Sequence, residues 1–405
     1  MTTIWEQLFG PSPEEGATVR LRVLRKHGRP FLALPSRARA AAAAVDLYPA
    51  QTGRARAART LLRCLLRAGA PVGTQSVTLT IPPGDAFTQF LCSLTGAARP
   101  APPEFGILAG NPGSPGRRFV VVVFDARQRP VAVAKAGLSP PAKALVRREQ
   151  SFLEAAAGKP GVPRLRGAVH ASRLEAFALD FIPGDTPRPR HEGALPALLW
   201  PWVDEQRIVA LSQAPQWRPL EAVADRAGGP WPALVRQLGA RAAHPVLAHG
   251  DLAPWNIKVA PEGHWTALDW ERGEQTGIAA WDWFHYVIQW AILVEHRPVE
   301  RLVERVDNLL ASGPFQRYAA HAGIAGLERD LALAYLLYSA EVLKPAEGRP
   351  QTRDLLRALG RSWGVQAAEL ANLGPDERHG DNHQDGPHPA GNDREDRAGQ
   401  VGHQA

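Results

Sequence analysis

Residues 245–282 read PVLAHGDLAPWNIKVAPEGHWTALDWERGEQTGIAAWD, and this stretch decides the reading of the chain. Val246, Leu247 and Ala248 form an apolar run that ends at His249-Gly250-Asp251. Asn256 follows five residues after Asp251, and a turn at Pro261-Glu262-Gly263 separates two short strand-like segments, Asn256 to Val259 and Trp265 to Leu268. Asp269 stands at the end of the second, in Leu268-Asp269-Trp270-Glu271. A carboxylate at a loop apex, as Asp251 is expected to be, can take the proton of a hydroxyl. Asn256 and Asp269, at opposite ends of a tight hairpin, offer hard oxygens of the kind magnesium prefers, and magnesium keeps several waters, so few protein ligands suffice.

The order His-Gly-Asp, four residues, Asn, and then Leu-Asp-Trp-Glu resembles the catalytic core of the aminoglycoside phosphotransferase and choline kinase superfamily, small-molecule relatives of the protein kinases. The resemblance covers residues from about 105 to 345. It implies that Asp251 is the catalytic base, that Asn256 and Asp269 are the metal ligands for Mg²⁺, and that ATP or GTP is the cofactor. It also implies that Asp282, after Gly277 and Trp281, braces the catalytic loop, and that His249 is a packing and hydrogen-bonding residue of that loop. Glu271 has two readings, an approach to the second shell of the metal or a surface carboxylate.

The upstream half suits the same template. Strand-like runs at Phe105–Ala109, Arg118–Asp125 and Pro130–Ala136 surround a glycine-rich stretch, Gly110-Asn111-Pro112-Gly113-Ser114-Pro115-Gly116. Its spacing, G-x-x-G-x-x-G, departs from the protein-kinase G-x-G-x-x-G, so Gly110 and Gly113 are a weak nucleotide-binding signal. Lys135 ends Val131-Ala132-Val133-Ala134-Lys135, where a lysine pairs with the α- and β-phosphates. Such a lysine needs a carboxylate on the following helix, expected over 141–157. Glu149 is the best match and Glu154 its competitor. Residues 174–182 read as a strand whose end, Leu179 to Ile182, is the expected hinge, with Asp180 and Ile182 placed against the adenine.

Around this core the first hundred residues read as a separate small α+β module. Val19, Leu21 and Val23 alternate with arginines as in a half-buried strand, and His27-Gly28-Arg29-Pro30 turns into a second strand, Phe31 to Leu34. A helix over 54–68 carries Leu61, Leu62, Leu65 and Leu66 as its apolar face, a strand runs over 77–81, and a short helix over 86–95. Pro100 to Pro103 reads as a linker. Beyond residue 190 the pattern is helical, with periodic stretches near 281–296, 298–311, 326–343 and 352–372. Trp200, Trp202, Trp217 and Trp231 either line a sugar site or belong to the core. Residues 375–405 contain no Ile, Leu, Phe, Tyr or Trp. Such a segment lacks the apolar surface to offset its ordering entropy, and disorder is expected.

Composition narrows the function further. Net charge is +7, and residues 1–100 hold 13 Lys and Arg against 5 Asp and Glu. A basic module of this kind either presents a solvated arginine-rich surface or binds nucleic acid; no aromatic-interleaved basic motif is present, so a nucleic-acid partner is not expected. Two cysteines, Cys64 and Cys92, support neither a zinc site nor a disulfide framework. With no signal-like start and no apolar run long enough to span a bilayer, a cytoplasmic location and no membrane partner are the expectations. The expected architecture is α+β: a bilobal protein-kinase-like fold with accessory module 1–100, mainly β N-lobe 101–184, mainly helical C-lobe 185–374 and tail 375–405. The expected activity is transfer of the γ-phosphoryl group of ATP or GTP to a small polar acceptor such as a sugar, amino sugar or amino alcohol. The absence of an H-R-D form and of an A-P-E segment argues against a protein kinase. A catalytically silent nucleotide-binding scaffold and nucleic-acid binding through the basic module are the rival readings.

Overall fold

The computed structural model describes residues 4–10, 15–48, 53–70, 72, 75–96, 102–110, 116–188, 193–343 and 348–365. Its organising element is an eight-stranded sheet in the order β3-β1-β2-β4-β5-β6-β8-β7. The strands are β1 (Ala17–Lys26), β2 (Arg29–Pro35), β3 (Gln75–Ile81), β4 (Glu104–Ala109), β5 (Arg118–Phe124), β6 (Pro130–Gly137), β7 (Leu165–His170) and β8 (Glu175–Asp180). Every pairing in the sheet is antiparallel. Helices α1 (Ala38–Ala44), α2 (Gly53–Arg67), α3 (Ala86–Ser93) and α4 (Pro140–Ala155) are interleaved with the strands.

The five contiguous strands β4-β5-β6-β8-β7, with α4 inserted after β6, form the β lobe of a protein-kinase-like fold. The first hundred residues, read from sequence as a separate module, continue this same sheet: β2 pairs with β4 through Leu32–Leu108 and Ala33–Ile107. Alternation of side chains across the strands then builds a core on each face. One face packs Leu21, Leu79, Val121, Ala134 and Ala178 against Trp5, Phe9 and the Phe87 and Phe90 of α3. The other packs Leu32, Leu34, Val122 and Phe124 against α1, Val45 and Leu66. Helix α2 departs from its expected orientation: Leu66 is buried and Leu62 half-buried, but Leu61 and Leu65 stay 62% and 41% exposed.

The second lobe is mainly helical: α5 (Leu195–Leu199), α6 (Trp217–Ala227), α7 (Trp231–Gly239), α8 (Trp281–Leu293), α9 (Val299–Ala311), α10 (Gly313–His321), α11 (Glu328–Tyr338) and α12 (Arg349–Ser362). Helix α8 is buried along Trp281 to Ile292, its polar Asp282, His285 and Gln289 included. Short ladders complete it: β9 (Val209–Ala210) with β10 (Ala242–Ala243), β11 (Val246–Ala248) with β14 (Glu274–Gly277), and β12 (Ile257–Val259) with β13 (Trp265–Ala267). No described helix is long and apolar enough to cross a membrane. The segment expected as a tail, 375–405, lies outside the described residues, as does Gly113.

Candidate active site

The β12–β13 hairpin sets the geometry. Register Ile257–Ala267 and Val259–Trp265 brings Asn256 opposite Leu268, whose N–H donates to Asn256 O at 2.6 Å. Asp269 follows in a left-handed conformation, φ 68°, which aspartate tolerates better than most residues. Gly250, between His249 and Asp251, also has positive φ, 76°, and a Cβ there would meet Arg272 O at 2.8 Å. Only glycine suits that position.

The loop is held from behind. Asp282, buried at the start of α8, accepts from His249 N at 2.6 Å and Gly250 N at 2.9 Å. Burial raises its carboxyl, and the neighbouring His249 and the two N–H donors offset this only in part. His249 is fully buried. Its Nε2 lies 2.8 Å from Leu268 O, so that nitrogen carries the proton, and Nδ1 accepts from Asp251 N at 3.2 Å. Burial lowers its affinity for a second proton, and the imidazole is neutral, a packing and bonding residue.

Asp251 projects from this loop. Its Oδ1 lies 3.1 Å from His285 Nε2, and Asn256 Nδ2 donates to its main-chain O at 2.9 Å and its Oδ2 at 3.3 Å. Tyr335 O–H meets the other ring nitrogen of His285 at 3.0 Å. Burial alone would raise the Asp251 carboxyl. The His285 hydrogen bond and the charges of His285 and Arg272 outweigh it, so Asp251 sits below its ordinary value. It is therefore a carboxylate at neutral pH.

Lys135, on β6, bridges two carboxylates: Nζ is 2.5 Å from Glu149 Oε1 and 2.7 Å from Asp269 Oδ1. Glu149, fully buried on α4, also accepts from Trp270 N at 3.1 Å. A stack of Phe152 on Trp270, 4.9 Å between centroids, ties α4 to the segment after β13. Arg118, at the start of β5, lies 3.6 Å from both Glu149 and Asp269 and pairs closely with Glu271. Burial raises Glu149, and Lys135 counters only partly. Asp269 moves the other way: burial raises it, but Lys135 and Arg118 prevail and hold it well below the carboxylate range. Lys135 itself is shifted up, because its two carboxylates outweigh burial.

Two cavities flank this machinery. One, about 530 Å³, is lined by Val120, Val122, Val133 and Lys135 from the sheet, Leu179 to Thr186, Lys258 and Leu268. Asp180 and Ile182 both line it. The second, about 390 Å³, holds Arg272, Trp281, His285, Tyr335 and Tyr338. Gly250 lines the second and Pro254 the first, so the loop carrying Asp251 runs from one to the other. Gly110 instead closes the β4–β5 hairpin, its N–H bonded to Arg118 O at 2.9 Å. Glu154 is bonded to Gln150 Nε2 at 2.9 Å on α4, away from Lys135. Glu271 pairs closely with Arg118, itself 3.6 Å from Asp269, and so is not a free surface carboxylate. Of the four tryptophans, Trp202, Trp217 and Trp231 are buried, while Trp200 is 41% exposed and stacks on His321; none lines either cavity.

Sequence reasoning missed Arg118, His285 and Tyr335. His285 had a signal: it lies three residues after Asp282, one helical turn on and on the same face of α8. Arg118 had none, since its partners lie 31 and more residues away.

A divalent cation suits the donors present. Asn256 turns its amide nitrogen to Asp251, which leaves its carbonyl oxygen without a hydrogen bond among the described residues. Asp269 adds a carboxylate. No group of three or more His, Cys, Asp or Glu side chains able to hold a metal occurs among the described residues. The chain thus offers two oxygens, and magnesium completes its shell with water and phosphate oxygens.

No family model and no curated protein matches the sequence. Solved structures similar to the chain include an aminoglycoside phosphotransferase of Streptomyces rimosus, at TM-score 0.35 and 15% identity over 57% of this chain and 91% of that one. Another is a thermostable aminoglycoside phosphotransferase in complex with ADP and hygromycin B, at 0.40 and 14% over 72% and 99%. A third is a macrolide 2'-phosphotransferase of Brachybacterium faecium, at 0.39 and 17% over 72% and 98%. These likenesses are distant, and the residues above carry the functional reading.

Proposed function

We propose that the chain is a small-molecule kinase that moves the γ-phosphoryl group of ATP or GTP to the hydroxyl of a small polar metabolite, such as a sugar, amino sugar or amino alcohol. One observation supports this most: an ionised, oriented carboxylate, Asp251, on a loop joining two cavities, with Lys135, which lines the first, bridging Glu149 and Asp269. In this reading the base lies between Val122, Val133 and Leu268 against the segment 179–182, and the phosphates extend to Lys135. The acceptor occupies the second cavity.

The chemistry then follows from position and charge. Asp251 receives the proton of the acceptor hydroxyl as its oxygen attacks the γ-phosphorus. The bond from that phosphorus to the β,γ-bridging oxygen breaks, and the nucleoside diphosphate leaves with the electron pair. His285 aims Asp251, and Tyr335 holds the ring of His285. Lys135, kept in place by Glu149, pairs with the phosphates. Mg²⁺, held by Asp269 and the Asn256 carbonyl oxygen, would neutralise phosphate charge when bound.

A phosphorylation screen of the full chain over a panel of sugars, amino sugars and amino alcohols, with ATP and GTP and with or without Mg²⁺, tests this. Phosphorylated product that requires Mg²⁺ is the expected result. Mg²⁺-independent nucleotide binding with no product across the panel would replace the reading with a silent nucleotide binder.

A further inference from the structure

Helix α2 belongs to the first hundred residues, outside the kinase-like part of the chain, yet it reaches the first cavity. Arg56, Arg59, Arg63 and Arg67 all line that cavity together with Lys135 and the 179–186 segment. Spacings of three and four residues put them on one stripe of the helix. The stripe is about 16 Å long at the α-helical rise.

The charge along it is poorly matched. Asp46 faces Arg63 at 3.2 Å and Arg59 at 4.0 Å. Arg56 and Arg67 have no ion pair or side-chain hydrogen bond among the described residues. Lys258 adds a cation to the same wall, its Nζ 3.3 Å from Gly184 O. Asp180 is already paired with Arg166 at 3.1 Å, which leaves Asp46 and Asp185 as the carboxylates facing these five cations. Like charges stacked along a helix face oppose helix formation.

Hydrophobic burial would also turn α2 the other way. It leaves Leu61 62% and Leu65 41% exposed while its arginines face the cavity. Both oddities are explained if an anion sits against the stripe. Guanidinium groups bind phosphate through paired N–H donors, and a row of them suits a multiply charged phosphate better than a lone carboxylate.

We infer that α2 forms a phosphate-binding rim of the first cavity, distinct from the phosphate position at Lys135. The phosphate belongs either to the ribose end of the nucleotide in the cleft or to a separate phosphorylated small molecule. Only the first of these sources rests on the nucleotide reading.

The test is titration calorimetry on the full chain and on an Arg56→Gln/Arg67→Gln double variant, whose replaced side chains are exposed and unpaired. The probes are adenosine, AMP, adenosine 3',5'-bisphosphate and inorganic tripolyphosphate. Adenosine should bind both proteins alike. If the rim reads the nucleotide, the bisphosphate binds the wild type more tightly than AMP, and the double variant loses about tenfold of that affinity or more. If the phosphate is separate, the same loss appears with tripolyphosphate while AMP and the bisphosphate bind alike. In either case Lys135→Ala leaves the rim's contribution in place. Unchanged affinity for both phosphate probes in the double variant would overturn the inference. So would duplex-oligonucleotide binding that depends on Arg56 and Arg67 while neither small phosphate binds. If the wild type turns over no acceptor but shows the rim effect, the kinase reading fails and the rim stands.

Discussion

Replacing Asp251 with asparagine removes one proton-accepting group and one negative charge while keeping the shape of the side chain. In the native loop both carboxylate oxygens receive donors: His285 Nε2 is 3.1 Å from Oδ1, and Asn256 Nδ2 is 3.3 Å from Oδ2. An asparagine amide has one acceptor oxygen, so either orientation sets its NH₂ against a donor. Such a conflict costs up to about 1–3 kcal/mol when buried, less here because the Asp251 side chain is 31% exposed, and it should appear as lost stability in urea unfolding. Turnover should fall much further, because a positioned base contributes on the order of 10²–10⁴-fold, or about 2.7–5.4 kcal/mol of barrier. Nucleotide affinity should survive, since the first cavity and Lys135 are untouched. Calorimetry with Mg·ATP and steady-state phosphorylation of the best acceptor from the screen measure the two quantities separately. Because Asp251 is held below its ordinary value, the wild-type acid limb belonging to it should lie below about pH 4 and be absent from the variant. Turnover above about a tenth of wild type, less than the weakest loss expected of a base, would show that another group takes the proton. Equal losses of nucleotide affinity and turnover would show instead that the loop had collapsed.

Asp269→Ala should abolish the Mg²⁺ dependence of nucleotide binding, and Asn256→Ala should weaken it less, since a neutral amide brings no charge; Mg·ATP titrations that match wild type in Asp269→Ala would refute the ligand assignment. Arg118→Met should destabilise the fold by at most about 3–5 kcal/mol, because it leaves the buried Glu149 and the partly exposed Asp269 sharing Lys135 and removes the partner of Glu271. Adding Glu271→Gln should recover part of this loss, with a coupling of about 0.5–3 kcal/mol by denaturant unfolding, and strictly additive losses would mean that the two side chains do not pair in solution. His249 bears on stability against pH. Burial lowers its folded-state value below the ordinary 6.5, so below that pH the unfolded chain binds a proton that the folded chain does not. Stability should therefore fall as pH drops from about 6.5, by at most about 1.4 kcal/mol per pH unit. His249→Gln should flatten that limb, and an unchanged slope would assign it to other groups.

What could be read from sequence follows from how local each feature is. The 245–282 segment was legible because its chemistry sits on one hairpin: the turn at Pro261–Gly263 and the pairing of Ile257 with Ala267 set Asn256 and Asp269 at the facing ends of its two strands. Lys135 and Glu149 were legible by order, a strand followed by a helix, and they meet at 2.5 Å. Arg118 was invisible, because its carboxylate partners, Glu149, Asp269 and Glu271, come from two later segments that no local turn joins to β5. The alanine run of α1 offered no contrast between polar and apolar positions, so it carried no period to detect.

Helix α2 shows the deeper limit. Its leucines and its arginines both recur at helical spacing, on different sides of one cylinder, so periodicity identifies the helix but not the side that faces inward. That choice is made by the neighbours. Here α1 and the extended sheet bring α2 to the rim of a cavity that already holds Lys258 and Asp185, a wall where polar side chains can be solvated or paired. Leu66 is enough to anchor the helix in the core beside Val45 and Val122, and the arginine face is free to line the cleft. The boundary at residue 100 hides this arrangement for the same reason. A linker-like Pro100-Ala101-Pro102-Pro103 marks a change in composition, but sheet edges pair through backbone groups that no side chain announces. The two residue pairs between β2 and β4 are what join the first hundred residues to the sheet that lines the cavity.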